Sequence, residues 1–66
     1  MNISLNGKSH SLVEHSSLAD LIEALELTGK RIAVEVNDEL VPRSEHADCH
    51  LNEGDRVEIV QAIGGG

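Results

Sequence analysis

One amphipathic stripe decides how this chain can fold. Leu18, Leu21, Ile22 and Leu25 fall at i, i+3, i+4 and i+7, the apolar face of a helix. Ser17-Leu18-Ala19-Asp20 opens it in capping-box form, with a hydroxyl at the cap and an acid three residues on. Asp20, Glu23 and Glu26 take the outer face, and Thr28-Gly29 is expected to close the helix, with Gly29 free to adopt the left-handed cap. This stripe is the only lid the sequence offers, so the helix must cover one face of one sheet.

The remaining pattern is strand. Met1, Ile3 and Leu5 alternate with Asn2 and Ser4, and Asn6-Gly7 follows, a hairpin signal because a type I′ turn needs positive φ at both central positions. The return strand is expected over Ser9 to Val13, with Leu12 inward. Ile32, Val34 and Val36 alternate with Ala33 and Glu35, ahead of an Asn37-Asp38 turn. Leu40-Val41 reads as a short strand stopped by Pro42, which cannot donate to a ladder. Arg43 to His50 reads as a polar, irregular and solvated segment with one helical turn at most. After the Asn52-Glu53-Gly54-Asp55 turn, Arg56 to Ala62 is the last strand, with Val57 and Ile59 on one face and Glu58, Val60 and Ala62 on the other. The order resembles that of ubiquitin-like β-grasp domains. That implies an α+β fold: a mixed sheet of four to five strands, one main helix across one face, and a flexible C-terminal Gly tail. The expected organisation is one domain over 1–66, with a folded core at 1–63 and the tail at 64–66.

Composition removes several functions. The 66 residues contain no Phe, Tyr or Trp and carry a formal net charge of −7, which argues against nucleic acid, because stacking platforms and a basic face are both missing. A single cysteine, Cys49, makes no internal disulfide. Neither a membrane-spanning run nor a signal peptide is visible, so a cytoplasmic protein, monomeric when free, is expected. No nucleophile–base pair or paired-acid constellation appears, so the chain is not expected to be an enzyme. His46, Asp48, Cys49 and His50 hold potential ligand atoms, but a structural zinc site needs four well-placed ligands, and no metal is expected here. The acids around Cys49 are expected to raise its pKa. Arg43 is expected to pair with Glu45, with Asp48 or with a partner's acid.

The unusual feature is the end of the chain, where Ile63 leads into Gly64-Gly65-Gly66. Glycine has no Cβ, so this segment is slim enough to thread a narrow channel. At about 3.3–3.6 Å per extended residue, four residues reach roughly 13–14 Å. That distance takes the Gly66 carboxylate into a partner's nucleotide site. A carboxylate is a poor electrophile, and transfer of AMP from ATP makes it an acyl adenylate that sulfur can attack. Gly66 is thus the residue expected to be modified, Gly64 and Gly65 the tail that enters the partner, and Val60, Ala62 and Ile63 the docking surface beside it.

The whole chain resembles the ThiS family, the sulfur carriers of thiamine (thiazole) biosynthesis. The resemblance is strongest over Leu51-Asn52-Glu53-Gly54-Asp55-Arg56-Val57-Glu58-Ile59-Val60-Gln61-Ala62-Ile63-Gly64-Gly65-Gly66, and next over Ile32-Ala33-Val34-Glu35-Val36-Asn37-Asp38-Glu39-Leu40-Val41-Pro42-Arg43. It implies that a ThiF-like adenylyltransferase activates Gly66 with ATP and Mg, that a cysteine desulfurase or another donor supplies sulfur, and that thiazole synthase (ThiG) consumes the thiocarboxylate. The domain itself binds no cofactor in this reading. His46 departs from the family, which often has an aromatic residue there, and Gly64 adds a third glycine at a variable position. The alternatives are a MoaD-like small subunit of molybdopterin synthase, a ubiquitin-like protein modifier acting through Gly66, and an interaction module with an inert tail.

Overall fold

The computed structural model describes residues 1–62. The chain runs through β1 (Asn2–Leu5), β2 (Lys8–Ser11), α1 (Leu18–Ala24), β3 (Ile32–Val36), β4 (Glu39–Leu40), a 3₁₀ turn at Arg43–Glu45 and β5 (Arg56–Gln61). The strands form one five-stranded sheet in the order β2-β1-β5-β3-β4. The first and last strands meet in parallel at its centre, Ser4 opposite Arg56 and Leu5 opposite Val57. The other neighbours are antiparallel.

Both hairpin turns form, and the positive φ anticipated at Asn6-Gly7 recurs at Asn37-Asp38. Asn6 and Gly7 have φ of 49° and 84°, and Asn37 and Asp38 have 52° and 70°, the positive values that short hairpins require. The strand boundaries shift slightly. β2 is Lys8–Ser11 rather than Ser9–Val13. Val13 is exposed, while Leu12 packs on the core as expected. β4 is Glu39–Leu40 rather than Leu40-Val41, although the Val41 N–H still donates to the Val34 carbonyl at 2.9 Å. β5 stops at Gln61, yet the Ala62 N–H donates to the Arg31 carbonyl at 2.9 Å.

The helix begins where expected, with the Ser17 capping box complete: the Asp20 N–H donates to the Ser17 hydroxyl oxygen at 3.1 Å, and the Ser17 N–H to the Asp20 carboxylate at 2.9 Å. It ends earlier than expected. Leu25 is the C-cap and Glu26, not Gly29, takes the first left-handed position, at φ 60°. The Glu26 N–H donates to the Glu23 carbonyl and the Leu27 N–H to the Ile22 carbonyl, each at 3.0 Å. That pair of bonds is a Schellman closure. It turns Leu27 back onto the core, which explains why the chain stops the helix there.

The core is aliphatic: Ile3, Leu18, Leu21, Ile22, Val34, Leu51 and Val57 are buried. Leu51 directly follows the irregular segment, residues 43–50, and anchors its end in the core. Its N–H donates to the Ser16 carbonyl at 2.9 Å. Two of the helix's unpaired N-terminal donors are satisfied by the same segment, Leu18 N–H by the Cys49 carbonyl at 2.7 Å and Ala19 N–H by the His46 carbonyl at 3.0 Å. His46 itself is 8% exposed, and its Nε2 lies 3.0 Å from the Val41 carbonyl oxygen. The expectation of a solvated loop is thereby corrected at His46: the segment is docked onto the helix N-terminus.

Candidate functional site

The candidate site is the end of β5 and the sheet face opposite the helix. β5 holds its line because it is paired on both sides at its start and on the β3 side throughout. β3 follows it from Val36 opposite Val57 to Ile32 opposite Gln61. On the other side β1 ends at Leu5, and the Asn6 side chain takes over. Its Nδ2 donates to the Ile59 carbonyl at 3.2 Å, and its Oδ1 accepts from the Ile59 N–H at 2.8 Å. The side-chain amide stands in for one more peptide of the ladder. Nothing in the sequence flagged this second role of Asn6, because its turn role already accounted for it.

Alternation places Val60 on the outer face, 66% exposed, directly across from Ala33. Ala62 is exposed beside it. Ile63, Gly64, Gly65 and Gly66 lie outside the described residues. Two of the expected docking residues, Val60 and Ala62, are therefore located, and the residues carrying the expected chemistry are not described.

The polar surroundings differ from expectation at Arg43. Its guanidinium donates to the Lys30 carbonyl at 3.0 Å rather than pairing with Glu45 or Asp48. That contact ties the turn after Pro42 to the α1–β3 connection. Arg31, Ile32, Ala33, Arg43, Val60 and Ala62 line one shallow hollow where β5 reaches its end. On the same outer face, Glu35 and Glu58 stand opposite one another. Arg56 pairs with Asp38 at 2.8 Å, both side chains largely in solvent, so the pair adds little to stability. Burial, then the charges of Asp55 and Glu45, push the Cys49 thiol up from its ordinary value, which leaves less of the reactive thiolate. Among the described residues no three His, Cys, Asp or Glu side chains are grouped to hold a metal ion. No helix among them is long and apolar enough to cross a membrane.

A mixed five-stranded sheet grasping one helix, with its first and last strands parallel at the centre, defines a β-grasp domain. The chain belongs to the ThiS family, whose model matches residues 3–66. The crystal structure of the thiamine biosynthesis protein ThiS from Geobacter metallireducens superposes with a TM-score of 0.85 at 30% identity, over 100% of both chains. The sulfur carrier protein ThiS of Bacillus subtilis is 31% identical over 97% of this chain and 98% of its own. A protein named thiazole synthase from Paramagnetospirillum magneticum is 36% identical over all 66 residues, which span 20% of its length. The same share holds for a thiazole synthase of Magnetococcus marinus, so this chain spans about a fifth of the length of these relatives.

Proposed function

We propose that the chain is a sulfur carrier for thiazole formation in thiamine biosynthesis, with the Gly66 carboxylate as its working group. The observation that carries this reading is a ThiS-family match that runs through the glycine tail to residue 66. The Gly66 carboxylate attacks the α-phosphorus of ATP on a ThiF-like adenylyltransferase, with Mg, and pyrophosphate leaves. Sulfur from a cysteine desulfurase persulfide, or from another donor, then attacks the acyl carbon and AMP leaves. Where the attacking sulfur is a persulfide, a thiol reductant cleaves the resulting S–S bond and frees the thiocarboxylate. Thiazole synthase (ThiG) takes that sulfur. Whole-chain similarity to a fifth of two proteins named thiazole synthase supports ThiG as the acceptor. The carrier supplies the acyl group and the docking surface of Val60, Ala62 and Ile63, Gly64 and Gly65 supply the slim lead, and the partners supply the catalysis. Such a carrier is expected in the cytoplasm with its ATP-using partner.

The test is an intact mass after incubation with the adenylyltransferase of the same genome, Mg-ATP and a sulfur donor. The expected result is exchange of one oxygen for sulfur on the last residue. Deleting Gly66 should abolish the exchange and leave the circular dichroism spectrum unchanged. A chain that forms neither adenylate nor thiocarboxylate overturns the reading. Lysine adducts on other proteins would point to a modifier instead, and thiocarboxylate accepted by a molybdopterin synthase large subunit rather than by ThiG would point to the MoaD-like role.

A further inference from the structure

We propose that Lys30, Arg31 and Arg43 form a cationic docking rim around the point where the chain leaves the sheet, fitted to an acidic protein surface at the mouth of the activating enzyme's channel. The inference rests on the carrier reading and adds the chemistry of the partner's surface.

The chain has twelve acids and five Lys or Arg residues. Arg56 is tied to Asp38, and Lys8 lies on β2 at the far edge of the sheet. Arg31 and Arg43 meet at the end of β5, and Lys30, which precedes Arg31, lines the adjoining hollow with Arg43. Arg31 and Arg43 line the hollow that holds Val60 and Ala62, and Arg43 is fastened to the Lys30 carbonyl. Among the described residues the ion pairs are Met1–Glu14 and Arg56–Asp38, so these three cations have no carboxylate partner there. No acid lines the hollow that holds Val60 and Ala62, and Glu23 is the one acid lining the adjoining hollow with Lys30 and Arg43, so this end carries a local field opposite in sign to the net charge of −7.

The surface is polar in the directional sense as well. Beyond the apolar Ala33–Val60 pair, the same face carries Glu35 opposite Glu58. An acidic partner surface is attracted at the tail end and repelled at the other, which fixes one docking orientation. The guanidinium groups of Arg31 and Arg43 suit carboxylates, which they can grip in a two-pronged fashion. The nucleotide's phosphates are too distant to be the target. Four residues separate Ala62 from the end of Gly66, roughly 13–14 Å when extended, so a tail reaching the α-phosphate leaves the cations at the channel entrance.

The experiment is steady-state AMP formation by the adenylyltransferase of the same genome, at low and high salt, with wild-type carrier and the double variant K30E/R31E. Neither side chain makes a hydrogen bond among the described residues, so the thermal midpoint should hold; Arg43→Gln is kept as a second variant because Arg43 also anchors a loop. The expected result is a KM for the carrier raised about tenfold at low salt with kcat unchanged, and a KM that no longer rises with salt in the double variant. An unchanged KM overturns the rim while leaving the carrier reading intact. Binding of ATP or tripolyphosphate to the isolated chain, abolished by K30E/R31E in calorimetry, overturns it in favour of an anion site. A wild-type chain that is never adenylated removes the carrier reading and the rim together.

Discussion

Ser17 and Asp20 close on each other across the helix N-terminus, and their geometry sets an acid dependence. The Ser17 backbone N–H, then the Ser17 side chain, hold the Asp20 carboxyl below its ordinary value, with His50 adding a smaller effect. A carboxyl lowered in the folded state contributes stability above its unfolded pKa of about 3.9, and that contribution is lost as pH falls through the folded value. Asp20→Asn should therefore flatten the loss of stability below about pH 4 in thermal melts across the acid range. Ser17→Ala should cost about 1 kcal/mol near neutral pH, read from urea unfolding. Its acid limb should shrink only partly, because the backbone N–H still reaches Asp20. Asn6 carries two roles on one side chain, a left-handed turn and the Ile59 bridge. Asn6→Gly keeps the first and loses the second, and should cost about 1 kcal/mol in urea unfolding. Asn6→Ala loses both and should cost about 2 kcal/mol. Equal losses would show that the bridge carries all of the effect.

Among the elements, α1 shows both what the sequence makes readable and what it hides. Its start is local chemistry, Ser17 to Asp20, and is legible in four letters. Its end is not. Gly29 advertises a left-handed position, and it does adopt φ 81°, but Glu26 reaches one first at φ 60°. The deciding interaction is Leu27 folding back onto a core that exists only after the sheet forms. Glu26→Gly relieves a strained residue and should stabilise the protein by about 1 kcal/mol, seen as a higher midpoint in urea. The segment after Pro42 was opaque for a similar reason. Leu51 and His46 are isolated among polar residues, so no period marks them, and their burial comes from docking against the helix N-terminus. The candidate site divides the same way. Strand alternation exposes Val60 and Ala62, while the three terminal glycines lie outside the described residues. Arg43, by contrast, is twelve or more positions from Lys30 and Arg31 in sequence, and only the fold brings them to one end of the sheet.

At the scale of the whole molecule, the helix and the exposed Val60–Ala62 face lie on opposite sides of the sheet, so that face can be altered without touching the core. Val60→Thr keeps the branched shape that strands favour. With Val60 66% exposed, stability should change by no more than about 0.5 kcal/mol. Loss of the buried methyl in the complex should weaken binding to the adenylyltransferase by about threefold to fivefold, measured by calorimetry. A large fall in unfolding midpoint would instead place Val60 in the folded core. The central position of β5 has one more consequence, a mechanical one. On the proposed function, a tail drawn into a narrow channel must also be withdrawn, and the pull would be delivered along β5. That strand is flanked by β1 and β3, with ladder bonds running across the direction of pull. The load is shared in shear by many bonds at once rather than opening them one at a time. The domain is thus braced along the axis on which its tail would be tugged.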